Sequence, residues 1–173
     1  MDGYQLGKDI QQILARLDKL EAGTGTHRTT EKEALTKSTG DGLFGVKWTM
    51  AKAKSRFSAE WSPGEETRLY EEVPGGYRLT VSGTHKGKPY SWGYTALYDG
   101  QDHKVWGRPD ADAIEAYRIN DRITIGFFKK NAMPGGPYAR NISADGKSLQ
   151  VQTVGHTADG TVYFDVIEYE LPQ

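Results

Sequence analysis

Tyr90-Ser91-Trp92-Gly93-Tyr94-Thr95-Ala96-Leu97-Tyr98 alternates large apolar residues with small or polar ones. Successive side chains of an extended strand point to opposite sides, so Tyr90, Trp92, Tyr94, Ala96 and Tyr98 share one face and Ser91, Gly93, Thr95 and Leu97 the other. The aromatic face is expected to point into a core. The same period of two recurs on both sides of this stretch. Tyr77, Leu79 and Val81 oppose Arg78, Thr80 and Ser82, and Leu149, Val151 and Thr153 oppose Gln150 and Gln152. In the last strand Val162, Phe164, Val166 and Glu168 are assigned to the inner face, because the other set carries Asp165 in mid-strand and a buried carboxylate is costly. That choice places Glu168 at one mouth of the fold.

The period of two starts after Leu43 and predicts strands at 46–53, 66–73, 76–84, 90–98, 104–106, 113–119, 122–130, 138–143, 148–155 and 161–170. Turn signals separate them, among them Gly75-Gly76, Lys86-Gly87, Asp99-Gly100, Asn120-Asp121, Pro134-Gly135-Gly136, Asp145-Gly146 and Asp159-Gly160. None of these connections has room for a crossover helix, so neighbouring strands must run antiparallel. About eight to ten antiparallel strands close most naturally into an up-and-down barrel, which leaves no exposed edge. A β-sandwich is the alternative.

Before the strands, Leu6, Ile10, Ile13, Leu17 and Leu20 repeat at helical spacing, which predicts an amphipathic helix in residues 1–22 with a coiled-coil-like stripe. The polar segment 23–42 reads as a flexible linker and 43–173 as the barrel. The stripe is expected to dock on a partner protein or on a second copy of the chain, with packing on its own barrel as the other possibility. The 173 residues carry 22 basic and 23 acidic side chains and no cysteine. Near-neutral charge argues against a nucleic-acid footprint, and the lack of cysteine excludes thiolate metal sites, thiol nucleophiles and disulfide scaffolds. No apolar run is long enough for a membrane span, and the first residues lack the basic-then-apolar order of a secretory signal. A cytoplasmic protein is the expectation.

Two strands set an arginine among alternating apolar residues: Ile114, Ala116 and Arg118, then Tyr138, Arg140 and Ile142. A buried guanidinium needs an acid, a carbonyl or an anionic ligand group. Either Arg118 and Arg140 sit near the rim and pair with Glu168 or backbone carbonyls, or they orient an anion inside an aromatic cavity. For strand 122–130 both faces are open to assignment. If Thr124, Gly126 and Phe128 point in, Gly126 leaves free volume. The four histidines lack ligand spacing, Asp99, Asp102, Asp110 and Asp112 lack the order of a calcium loop, and no phosphate loop or nucleophile elbow is present. No metal and no cofactor are therefore expected.

At Trp48-Thr49-Met50-Ala51-Lys52-Ala53-Lys54-Ser55-Arg56-Phe57, and again at Trp92-Gly93-Tyr94-Thr95-Ala96-Leu97-Tyr98-Asp99-Gly100, the chain resembles small bacterial lipocalin-like, calycin-type β-barrel proteins of largely unassigned function. Pro109-Asp110-Ala111-Asp112 and Ser143-Ala144-Asp145-Gly146-Lys147 continue that resemblance, which covers about residues 45–170. It implies a lipocalin-like barrel more firmly than it implies an activity.

The expected function is binding of a small, largely hydrophobic molecule with one polar or anionic group. Trp48, Tyr90, Trp92, Tyr94, Tyr98, Phe128 and Phe164 would line the site, and Arg118 and Arg140 would anchor the polar group. A barrel enzyme, such as a cyclase, isomerase or hydratase, is the second reading, with Glu168 as acid/base and Tyr94 as donor to a developing oxyanion. The third is an interaction protein whose barrel is filled by its own side chains.

Overall fold

The computed structural model describes residues 42–57, 61–156 and 160–172. The helix expected in 1–22 and the linker after it lie outside the described residues. Among the described residues, ten strands form one closed antiparallel barrel: β1 (Lys47–Met50), β2 (Glu65–Val73), β3 (Gly76–His85), β4 (Lys88–Leu97), β5 (His103–Trp106), β6 (Ala113–Arg118), β7 (Ile123–Lys130), β8 (Met133–Ile142), β9 (Ser148–His156) and β10 (Val162–Glu170). Each strand pairs with its neighbours in sequence, and β1 closes the circle by pairing with β10 and β2. Every edge is thereby paired.

The β1–β10 seam is short, Thr49 opposite Glu170 and Met50 opposite Tyr169. Past the end of β1 the Ala51 amide donates to the Glu168 carbonyl at 2.8 Å, and Arg56 exchanges both backbone bonds with Val166, at 2.7 and 2.9 Å. The chain after β1 therefore continues alongside β10 and extends the seam as far as Val166.

Because the topology is up-and-down, connections alternate between the two ends. At one end, near the β8–β9 turn, Leu43 is buried and its carbonyl accepts the Trp48 Nε1–H at 3.1 Å. At the other end lies the 107–112 connection between β5 and β6.

Two local departures from the expected strands have clear causes. The turn between β7 and β8 falls at Asn131-Ala132, both with positive φ (50° and 61°), and Pro134-Gly135-Gly136 belongs to β8 instead of forming the turn. A register shift between Phe127 and Lys129 lets the two strands stay paired up to Lys130 opposite Met133. In β7 the inward set is Thr124, Gly126 and Phe128. Gly126 leaves no free volume, because the Glu115 carbonyl and the Tyr138 ring fill it; a Cβ there would lie within 2.5 Å of both.

The last strand reverses the expected assignment. Asp165, Ile167 and Tyr169 are buried on the inner face, whereas Phe164 and Glu168 are on the outer one. Register decides this: Tyr169 stands opposite the core residue Leu149, and Glu168 opposite the outward Gln150.

Candidate functional site

The barrel interior holds two polar constellations joined by aromatic rings. The first grows from β2, where Glu66, Arg68 and Tyr70 alternate on the inner face. Glu66 and Arg68 are nearly sealed from solvent and are joined Nε to Oε1 at 3.1 Å. The Tyr90 hydroxyl donates to Glu66 Oε2 at 2.5 Å, and the Tyr169 hydroxyl donates to Oε1. Three donors thus replace the carboxylate's hydration. The Arg68 guanidinium lies over the Tyr169 ring (4.7 Å) and the Trp92 ring (5.7 Å), which adds cation–π attraction to the ion pair.

The second constellation surrounds Arg140 on β8, deeper toward the Leu43 end. Arg140 is 3% exposed. Its Nη2 donates to Thr124 Oγ1 at 2.6 Å, across the β7–β8 pair that sets Thr124 opposite Arg140. Its Nε and Nη1 are buried and have no hydrogen-bond partner among the described residues. The guanidinium carbon lies over the rings of Tyr77 (5.0 Å) and Tyr70 (5.1 Å). Next to it the Tyr77 hydroxyl is 2.9 Å from that of Tyr138 and 3.1 Å from that of Tyr94. Burial pushes all three phenols up, Tyr138 to about 12, so they are neutral donors near neutral pH.

Rings connect this cluster to the far mouth. Tyr94 and Tyr138 both contact Phe128, at 6.1 and 5.5 Å between centroids, and Phe128 contacts Trp92 at 6.1 Å. Over Trp92 and Phe128 lies Arg108 of the 107–112 connection, at 4.7 and 4.3 Å, held by Asp110 two residues on. A guanidinium therefore caps the aromatic file at the mouth, and another terminates it inside.

No protein-family model, curated protein or solved structure matches this chain. What the interior does chemically rests on its own side chains.

Of the expected lining residues, Tyr90, Trp92, Tyr94 and Phe128 face this interior, with the half-buried Tyr98 5.7 Å from Tyr77. Trp48 is also inside, as a fully buried core residue bonded to Leu43. Three expectations are corrected. Phe164 is 48% exposed on the outer face. Glu168 is on that face too, accepting from Gln150 Nε2 at 2.6 Å, while its backbone amide donates to Ser55 Oγ. Arg118 lies at the end of β6, exposed and paired with Asp121 at 2.6 Å, because the tight Asn120-Asp121 turn brings that acid back to it. No Glu168–Arg140 or Glu168–Arg118 pair forms; the buried carboxylates of the described residues are Glu66 and Asp165.

Glu66 and Arg68 are not among the residues expected from the sequence, and Thr67, Leu69 and Val73 give the opposite face of β2 apolar residues of its own. Opposite charges two apart on a strand were the available signal. Such a pair shares one face, and paired charges are the ones that a core admits. Among the described residues no group of three or more histidine, aspartate or glutamate side chains is placed to hold a metal ion.

Proposed function

We propose that the barrel binds a small, largely apolar molecule through one anionic group, and that Arg140 receives that group. The observation that carries this reading is the unpartnered Nε and Nη1 of a guanidinium buried to 3% exposure. A buried charge normally finds a counter-charge, as Arg68 does in Glu66. Arg140 has one neutral acceptor, Thr124, and aromatic rings. The resemblance to lipocalin-like proteins supports the same reading, and the aromatic file from Trp92 to Tyr77 suits an apolar body. The helical stripe of Leu6, Ile10, Ile13, Leu17 and Leu20 supports an accessory role in docking or self-association.

Native mass spectrometry of the protein from its own source tests the reading directly. A bound small molecule with an acidic group, lost in Arg140→Leu, is the expected result. Protein that is ligand-free from its source and unresponsive to added carboxylates would overturn it. That outcome favours the filled-barrel reading, for which the complete burial of Trp48, Tyr70, Tyr77 and Tyr169 is the supporting observation. An enzyme working in this interior would use Glu66 and the tyrosines around it, not Glu168.

A further inference from the structure

The Arg140 site, taken as a binding site, carries its own selectivity in the way the guanidinium is held. A guanidinium has five N–H donors. Nε and Nη1 account for three of these, and all three lack an acceptor. Thr124 is fully buried, and its hydroxyl takes an N–H of the remaining nitrogen, Nη2. The neighbouring Tyr70 and Tyr77 rings offer π faces, and neither phenol oxygen accepts from the guanidinium.

From this arrangement we propose that Thr124 is a positioning residue that fixes the Arg140 fork to receive a carboxylate, in preference to other anions. The inference rests on the interior being a ligand site. Charge balance selects a monoanion. Among the described residues Arg68 is neutralised by Glu66 while no carboxylate bonds Arg140, and a phosphate dianion would bring one negative charge more than the Arg140 guanidinium offsets. Shape then selects among monoanions. A planar carboxylate lies along one edge of the planar guanidinium with an oxygen on each of two adjacent nitrogens, a halide offers a single centre, and a tetrahedral sulfonate sets its third oxygen out of that plane, where the Tyr70 and Tyr77 rings lie. Orientation comes from Thr124. Without its hydroxyl, Nη2 also becomes a buried free donor, and the fork has no side-chain acceptor to hold it in register with the incoming oxygens.

The test compares benzoate, benzenesulfonate, phenyl phosphate and chloride on the full chain, by calorimetry or by tryptophan fluorescence. The wild type is expected to bind benzoate at least tenfold more tightly than the other three. Thr124→Val keeps the shape of the side chain and removes the hydroxyl, so it should lose most of that preference; Thr124→Ser should retain it. A purely structural role for Thr124 would change stability and leave the ratio between anions untouched. Equal binding of all four anions by the wild type, or an undiminished preference in Thr124→Val, overturns this inference and leaves the binding reading intact. Binding of none of them removes both. Should Thr124→Val fail to fold, the Arg140 Nε–H resonance of the wild type decides the matter. It should shift on addition of benzoate, and benzoate binding with that resonance unmoved would place the carboxylate elsewhere.

Discussion

Glu66 and Arg68, two positions apart on one strand, point to the same side of the barrel wall and meet there at 3.1 Å with almost no solvent access. Removing one member strands the other. Glu66→Ala is expected to cost about 3 to 5 kcal/mol, as for other buried pairs cut on one side. The double substitution Glu66→Leu/Arg68→Met should be markedly less damaging than the sum of its parts. A denaturant series on the two singles and the double closes the cycle, and additive losses would mean that the two side chains do not share their burial energetically.

Arg140 should behave in the opposite way. Its charge is buried against rings and one hydroxyl, with two nitrogens unpartnered, so the folded ligand-free protein carries a desolvation cost that no counter-ion offsets. Arg140→Met keeps an unbranched stem and removes the charged head, and is expected to be neutral or stabilising by up to about 2 kcal/mol, while abolishing anion binding. Thermal melts of the two proteins in the absence of ligand check this. A large drop in melting temperature would show that Arg140 is a structural cation.

Gly126 tests the packing around the tyrosine cluster. The Glu115 carbonyl and the Tyr138 ring occupy the space next to its Cα, so Gly126→Ala forces the β6 backbone as well as that ring and its hydroxyl bond to Tyr77 to shift. Overpacking of this kind costs about 1 to 3 kcal/mol. Trp92→Ala, which empties the seat between Arg68 and Arg108, should cost about 3 to 5 kcal/mol through lost burial and the cavity left behind. Urea unfolding of both variants provides the comparison, and an unperturbed Trp92→Ala would contradict its place in the interior.

The tyrosines set an alkaline limit. Burial raises the folded-state pKa of Tyr138 from 10.0 to about 12, and those of Tyr77, Tyr94 and Tyr169 rise as well. Folded pKa values above unfolded ones mean that the unfolded chain releases protons first as pH rises. The stability associated with the neutral phenols is therefore complete below about pH 10 and is lost progressively toward pH 12 and above. Absorbance at the phenolate band, followed together with circular dichroism, should show these tyrosines ionising in step with unfolding. Full ionisation of all ten tyrosines near pH 10 with the barrel intact would refute their burial.

Deleting residues 1–41 should leave the barrel folded, since the ten described strands pair with one another into a closed barrel. The sequence stripe at Leu6 to Leu20 makes a change in oligomeric state or partner binding the expected consequence. Circular dichroism and light scattering of the truncated chain measure both. A truncated chain that fails to fold would show that the stripe is part of the core.

Strand positions, antiparallel order and the faces of β3, β4 and β9 were legible in the chain itself. Tyr77-Leu79-Val81, Tyr90 to Tyr98 and Leu149-Val151 alternate cleanly, and a period of two admits one buried face whatever the neighbours are. Hairpin signals between such strands leave few topologies, and closure follows from the need to pair the edges. What local sequence does not settle is which charges the fold buries. By local sequence Asp165 is costly to bury, which argues for the opposite face of β10, yet the register opposite β9 sends Tyr169 inward with Leu149 and carries Asp165 in with it. Glu66 and Arg68 were hidden on the less apolar face of their strand, and only the closed barrel brings Tyr90 and Tyr169 from distant strands to satisfy the carboxylate. Strand ends and pairing decide the two arginines: Arg118 falls at the end of its strand beside the turn residue Asp121, while Arg140 is paired against β7 and ends inside beside Thr124. Alternation is a property of a few consecutive residues, whereas solvation of a buried charge depends on groups that meet only when all ten strands have closed.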